Sequence, residues 1–124
     1  LSGWRAIPVG ALANRRPAAL TSLAPDHLRD MLKQHPYRCF PVILPGVAPG
    51  VVTRDEIQRA LIRGTAPTLE TAVLCRASQT LTEVEARLIE SSAGLFLVQQ
   101  HENGPVTGLF TLHDLLRAQA SMLD

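Results

Sequence analysis

A short motif occurs twice in the chain, and it constrains the fold more than any other feature. Gly50-Val51-Val52-Thr53 is followed three positions after its threonine by Glu56, and Gly108-Leu109-Phe110-Thr111 is followed in the same way by Asp114. The pattern is typical of a strand that ends where a helix begins. Each half of the chain carries one copy and is too small for a good core of its own. We therefore expect the two halves to pack on each other with pseudo-twofold symmetry.

Hydrophobic spacing and turn residues predict the same order of elements in both halves, strand–helix–strand–strand–helix. The fold class is therefore predicted as α+β, with two β-α-β-β-α repeats. In the first half we predict strands at 18–21, 40–44 and 50–53, a helix with Asp26 as its N-cap, and a helix that ends at Gly64. In the second half we predict strands at 72–75, 95–98 and 106–110, a helix capped by Thr80 and Glu83, and a last helix from Leu112.

The domain organisation follows from the repeat. Residues 1–17 show no clear period and are predicted to be a linker or an N-terminal arm. The first repeat is placed at 18–66 and the second at 67–124. The chain opens without a methionine, so we expect it to be part of a longer protein.

Composition excludes several classes of protein. Hydrophobic residues make up 46% of the chain and charged residues 19%, which excludes an intrinsically disordered chain. The net charge is only +1, so nucleic acid is not an expected partner. Cys39 and Cys75 lie among apolar residues and form no CxxC pair, which favours buried, reduced thiols of a cytosolic protein.

The sequence shows no pattern typical of an enzyme or a metal centre. The four histidines have no HxxxH or HExxH spacing, and the Gly46–Gly50 turn is not followed by the lysine of a phosphate-binding loop. We therefore predict no catalytic activity, no metal and no required cofactor.

The repeated motif, together with the strand Phe40-Pro41-Val42-Ile43, resembles a tandem pair of CBS domains, also called a Bateman module. The resemblance extends from Ala18 to about Gln119. It implies a regulatory module, often dimeric, with clefts that bind adenosine compounds such as AMP, ADP, ATP or S-adenosylmethionine.

The resemblance also implies which residues would meet such a ligand. The threonine and the acid of each motif would contact ribose or phosphate, and basic residues nearby would lie close to the phosphates. The candidates are Thr111 and Asp114 in one cleft, Thr53 and Glu56 in the other, and Arg54, His113 and Arg76 near phosphates. The same Thr–acid spacing also describes a plain helix cap, so both interpretations remain open. Glu56 is longer than the aspartate usual in the family, which changes its reach.

Two functions remain open at this point. In the first, the module senses an adenine nucleotide and controls an attached channel or transporter on the cytoplasmic face of a membrane. A chloride-channel type of host is favoured by the Phe-Pro-Val strand, while a membrane protease, a magnesium transporter or a stand-alone protein would also fit. In the second, the pair is a ligand-free dimerisation module. A homodimer is expected in either case, through apolar helix residues: Leu112, Leu115 and Leu116, or Ile57 and Leu61.

Overall fold

The computed structural model describes residues 3–13, 18–90 and 94–123. The helices are α1 (Val9–Leu12), α2 (Pro25–Gln34), α3 (Arg54–Arg63), α4 (Leu81–Glu90) and α5 (Leu112–Leu123). The strands are β1 (Cys39–Val42), β2 (Gly50–Thr53), β3 (Glu70–Thr71), β4 (Val73–Arg76), β5 (Leu95–Gln99) and β6 (Val106–Thr111). The described residues thus form a mixed α+β fold with two three-stranded sheets, which confirms the predicted fold class.

The first compact unit spans Ala18–Ala72, and its sheet has the order β1-β2-β3 with antiparallel pairs. The predicted strand at 18–21 is reduced to a single parallel bridge between Leu20 and Val42. The chain leaves the sheet immediately afterwards and enters α2 at Pro25. Proline occupies the first helical position, where its missing N–H costs nothing. Asp26 therefore lies inside the first turn, and its prediction as the N-cap is wrong, because Ala24 holds that position.

The core of the first unit is aliphatic around one aromatic ring. Helices α2 and α3 supply buried residues to it, and the sheet supplies the rest. Its members are Leu20, Leu28, Met31, Phe40, Val42, Val52 and Ile57. Gly64 ends α3 in the left-handed conformation with φ 69°, as the sequence predicts.

The second compact unit combines Leu1–Pro17 with Val73–Asp124. In its sheet β4 runs parallel to β5, and β5 pairs with β6 in the antiparallel sense. Its core consists of Val9, Cys75, Leu81, Val84, Phe96, Val98, Phe110, Leu115 and Ala118. Burial raises the pKa of the Cys75 thiol to about 11, whereas Cys39 is only half-buried.

The N-terminal segment, residues 3–13, for which a linker or an N-terminal arm is predicted, is attached to the second unit. Gly3–Ala6 forms a 3-10 turn and α1 follows. Val9 is completely buried in the core of the second unit, and its amide donates to the carbonyl of Gln79 at 2.7 Å. The buried Val9 and this main-chain pairing therefore make the segment part of the second unit. The remaining residues of the predicted linker, 1–2 and 14–17, lie outside the described residues.

The short strand β3 belongs to the first compact unit. Glu70 and Thr71 form β3, which pairs with Val51 and Gly50 of β2. The first compact unit consequently extends to Ala72, while the repeat boundary between residues 66 and 67 stays a prediction.

Two residues of the predicted dimer surface belong to the cores instead. Ile57 is fully buried in the first unit, and Leu115 is buried in the second. Both point inward because they are the fourth residue of their helix, on the side that covers the sheet. Leu61 on α3 is partly buried against the first core. Of the predicted set, the exposed residues are Leu112 and Leu116 on α5.

Candidate ligand site at the strand-to-helix junctions

The two copies of the motif form the same junction in their respective units. Thr53 ends β2 opposite Cys39, the first residue of β1, and Thr111 ends β6 opposite Leu95, the first residue of β5. The first helical amide then donates to the carbonyl of the residue before the paired strand. These bonds are Arg54 N to Arg38 O at 2.7 Å and Leu112 N to Gly94 O at 3.2 Å.

Both threonines cap the helix that follows them. The Oγ1 of Thr53 accepts from the amide of Glu56 at 3.1 Å, and the Oγ1 of Thr111 accepts from the amide of Asp114 at 3.2 Å. A helix start offers free amides to an anion. At each junction the threonine hydroxyl already occupies one of these amides. What else the junction can bind therefore depends on the side chains around it.

At the second junction the acid completes a reciprocal capping box. The Oδ2 of Asp114 accepts from the amide of Thr111 at 2.8 Å and from its hydroxyl at 3.0 Å. The Oδ1 accepts from the guanidinium of Arg117 at 2.9 Å. The side chain of Asp114 is 14% exposed and that of Arg117 is 68% exposed. An ion pair with so exposed a partner is weak, so Oδ1 can exchange Arg117 for another donor at little cost.

At the first junction the longer acid makes different contacts. Both oxygens of Glu56 accept from the guanidinium of Arg59, at 2.7 and 2.6 Å, and Oε2 also accepts from the amide of Thr68 at 2.7 Å. The bond from Arg59, and next the bond from Thr68, lower the pKa of Glu56 to about 2. The extra methylene lets Glu56 fasten α3 to the segment that leads into β3, and both of its oxygens are engaged.

Arg54 lies at the first junction, but its guanidinium faces the main chain. It donates to the carbonyls of Leu32 at 2.6 Å, His35 at 2.7 Å and Tyr37 at 3.2 Å. These carbonyls lie at and just beyond the C-terminal end of α2, where the helix dipole attracts a cation. Arg54 therefore ties the end of α2 to the start of α3, and its predicted role near a phosphate stays a prediction.

The structure brings only some of the remaining candidates together. His113 is exposed in the first turn of α5, next to Asp114 in the chain. Arg76 is also exposed, but it pairs with Gln99 at the far end of β5, whereas Thr111 pairs with Leu95 at the near end. Four residues of strand, roughly 13 Å, separate those two ends. Within the second unit, Thr111, His113 and Asp114 therefore form one cluster, and Arg76 is outside it.

Sequence reasoning missed three residues of these junctions. Arg59 and Arg117 each follow their acid by three positions on a helix, a spacing that places the two side chains side by side and that could have identified them. Thr68 contributes its main-chain amide, and no sequence pattern marks it.

Neither a metal cluster nor a spanning helix occurs in the part of the chain that the structure describes. No group of three or more His, Cys, Asp or Glu side chains in 3–13, 18–90 and 94–123 is arranged to hold a metal ion. None of the described helices has the length and apolar character needed to cross a membrane.

Comparisons with known proteins identify the fold. The model of the CBS domain family matches residues 70–121, whereas no curated protein matches the sequence.

Three solved structures are similar. A CBS domain protein from Shewanella oneidensis has 20% identity and a TM-score of 0.75, covering 94% of this chain and 99% of that one. A CBS-pair protein from Arabidopsis thaliana has 20% identity and a TM-score of 0.76, with 94% and 96% covered. The CBS domain of a bacterial CNNM/CorC family Mg²⁺ transporter in complex with ATP has 17% identity and a TM-score of 0.77, with 94% and 89% covered. Residues 70–121 are therefore similar to the CBS domain family, and the chain has the fold that solved CBS-domain proteins share.

Proposed function

We propose that this CBS-domain module senses an adenine nucleotide at the junction of β6 and α5 and passes its occupancy to an attached transporter or channel. The observation that carries the proposal is the cluster of Thr111, His113 and Asp114 at the start of α5, inside the range that matches the CBS family. A helix start attracts phosphate, and a carboxylate accepts hydrogen bonds from the two hydroxyls of a ribose. A structure with the same fold was determined in complex with ATP.

The second junction is favoured over the first because its acid is easier to free. Asp114 shares Oδ1 only with the exposed Arg117 among the contacts described here. To contact a ligand, Glu56 would have to break its bidentate hydrogen bonds from Arg59 and the hydrogen bond from the Thr68 amide. We propose the Thr111–Asp114 site as the nucleotide site and the Thr53–Glu56 site as a structural junction.

We also propose that the first half is a diverged CBS repeat, which makes the chain a tandem pair with repeats at 18–66 and 67–124. Its support is the repeated element order and the equivalent register of Thr53 and Thr111. In this proposal the acid of the first repeat, Glu56, holds α3 to the segment before β3 and does not contact a ligand.

The attached partner is proposed to be an ion transporter or channel in a membrane, with the module on the cytoplasmic side. The ATP-bound structure of similar fold belongs to a Mg²⁺ transporter. The Phe40-Pro41-Val42 strand is what favours a chloride-channel type of host. In this proposal the module itself catalyses no reaction.

Titration calorimetry with AMP, ADP, ATP and S-adenosylmethionine tests the ligand directly. We expect saturable binding of at least one of the four at one site per chain. In NMR spectra recorded along the same titration, we expect chemical-shift changes centred on Thr111, His113 and Asp114. Absence of binding by all four would exclude the sensing function. Shift changes centred on Thr53 and Glu56 would exclude the assignment of the site.

A second function, ligand-free dimerisation, is favoured by a different observation. Leu112 and Leu116, one turn apart on α5, are 47% and 53% exposed, and Ile62 on α3 is 85% exposed. Apolar side chains exposed on one helix face are typical of a surface that another chain covers. Light scattering and calorimetry together distinguish this function, because it predicts a dimer that binds none of the four adenosine compounds.

A further inference from the structure

We propose that Asn103, at the tip of the hairpin between β5 and β6, is a site of spontaneous deamidation, and that the buried side chain of Gln99 controls the rate of this reaction. The inference concerns the covalent chemistry of one turn. It does not depend on nucleotide binding, so it stands or falls independently of the proposed function.

The hairpin tip exposes a reactive pair of residues. Asn103 is exposed and is followed directly by Gly104. Glycine has no side chain to shield its own main-chain nitrogen, so this nitrogen can approach the side-chain amide of the preceding asparagine. Asn103 has a φ of 61°, which no other residue except glycine matches in sign within 3–13, 18–90 and 94–123. Asparagine is one of the few residues that adopt this left-handed conformation in turns.

The first unit has the same kind of turn between β1 and β2. Each turn is closed by one main-chain hydrogen bond, 3.3 Å long in the first unit and 3.0 Å long from Gly104 N to His101 O in the second. The third residue of each turn is left-handed, Gly46 with φ 72° and Asn103 with φ 61°. The second unit therefore has asparagine where the first has glycine, and this exchange places a side-chain amide directly before Gly104.

The reaction consumes water and needs no other reactant. The nitrogen of Gly104 loses its proton to a base in solution and attacks Cγ of Asn103. The side-chain nitrogen takes up a proton and leaves as ammonia, and a cyclic succinimide remains. Water then opens one of the two succinimide carbonyls and gives aspartate or isoaspartate. Either product adds one negative charge, so the net charge of +1 falls by one.

Both main-chain polar groups of Gly104 are held in the folded turn. Its nitrogen donates to His101 O, and its carbonyl accepts from the side-chain amide of Gln99 at 2.7 Å. Gln99 is only 6% exposed, and a buried donor is costly to leave without an acceptor. The attack requires the Gly104 nitrogen to leave His101, so it occurs when the tip opens locally. Gln99 opposes that opening and thereby slows the reaction.

Isoaspartate would alter the hairpin as well as its charge. It directs the main chain through the former side chain and lengthens it by one carbon atom. The turn has little room for such a shift, because a Cβ at Gly104 would already lie 2.5 Å from Nδ1 of His101. Displacement of Gly104 would also remove the acceptor of Gln99. We therefore expect the isoaspartyl form to have a looser hairpin tip than the aspartyl form.

Peptide mapping by mass spectrometry of the folded chain, incubated at mildly alkaline pH, tests the proposal. We expect aspartate and isoaspartate to accumulate at position 103, and to do so faster at higher pH because the attacking nitrogen must lose its proton. Asn103→Gly, which introduces the residue of the corresponding turn, should give no such product. If Asn103 stays intact in the folded chain during the time in which the urea-unfolded chain reacts, the fold blocks the reaction and the proposal is wrong.

A pair of matched variants tests the control by Gln99. Gln99→Met removes the donor and keeps an unbranched side chain of similar length, so the rate at Asn103 should rise roughly two- to tenfold. Gln100→Met makes the same exchange at the exposed neighbour, whose amide is 3.5 Å from the Thr107 hydroxyl, and should leave the rate unchanged. An unchanged rate in a folded Gln99→Met chain, or an equal rise in both variants, would contradict the proposal.

The comparison of folded and urea-unfolded wild type decides if Gln99→Met does not fold. We expect Asn103 to react more slowly in the folded chain than in the unfolded one. Equal rates would show that the turn imposes no restraint, and the role of Gln99 would be refuted.

Discussion

Asp114→Ala separates the two roles that the acid of the second junction can have, a helix cap and a ligand contact. The substitution removes the acceptor of the Thr111 amide, its hydroxyl and the Arg117 guanidinium. Loss of a cap costs about 0.5–2 kcal/mol. With about 2.1 cal/mol/K of unfolding entropy per residue, a 124-residue chain should melt about 4 °C lower for each 1 kcal/mol lost.

The effect on binding is separate from the effect on stability. If Asp114 accepts hydrogen bonds from a ribose, each bond to its charge contributes roughly 1.5–3 kcal/mol. A ribose hydroxyl would displace Arg117 from Asp114, so part of that energy only replaces an existing bond. We therefore expect ATP affinity to fall roughly tenfold to a hundredfold. Thr111→Val, which removes a neutral group, should weaken binding less.

The same unit provides a matched control. Thr80 and Glu83 form a reciprocal capping box at the start of α4, with Thr80 N donating to Glu83 Oε1 at 3.3 Å and Glu83 N to Thr80 Oγ1 at 3.4 Å. Glu83→Ala should lower the melting temperature by a similar amount and leave ATP affinity unchanged. Thermal unfolding and calorimetry on both variants complete the experiment. Equal destabilisation with unchanged affinity in Asp114→Ala would show that Asp114 is a cap only, and the assignment of the site would be refuted.

Three further predictions concern other parts of the chain. Because the pKa of Glu56 is lowered to about 2 from 4.5, its stabilising contribution is complete above pH 4.5 and is lost as the pH falls towards 2. The melting-temperature difference between the wild type and Glu56→Gln should therefore close over that range, and a constant difference would contradict the assigned contacts. Gly64→Ala should destabilise the chain by about 1 kcal/mol in urea unfolding, because φ is 69° while no atom lies within 4 Å of the added methyl; an unchanged midpoint would show that the strain is relieved. Exchanging Leu112 and Leu116 together for glutamate should convert a dimer into a monomer by light scattering, and a persistent dimer would exclude this face.

The repeat predicts most of the fold because its signals are local. Periodic apolar residues identify the four long helices, and turn residues delimit the strands. The same signals fail for very short elements. Helix α1 has only four residues and one buried side chain, so no period can be seen, and β3 consists of two exposed polar residues. Their partners, at Gln79 and in β2, are distant in the chain and leave no local trace.

The candidate site is predictable to the same extent. Spacing alone identifies Thr53, Glu56, Thr111 and Asp114 as cap residues. The structure shows the capping bonds of Thr53, Thr111 and Asp114, whereas the Glu56 carboxylate accepts from Arg59 and Thr68 instead. Spacing cannot show what else competes for those oxygens. The Arg54 guanidinium reaches carbonyls on another helix, and Glu56 reaches an amide beyond the end of its own helix. These contacts depend on tertiary packing, and our choice of the second junction as the proposed ligand site rests on them.

The discontinuity of the second unit has a consequence for the order of folding. Residues 3–13 leave the ribosome before the first unit, but their partners at Ala77 and Gln79 follow only after the whole first unit has been made. The first unit is continuous in sequence and can fold during synthesis, since domains generally fold as units in chain order. Docking of Val9 closes a chain loop that contains this unit, and the entropic cost of such a loop grows only slowly with its length. We therefore expect docking of the N-terminal segment to be the last step of folding, completed after both sheets have formed.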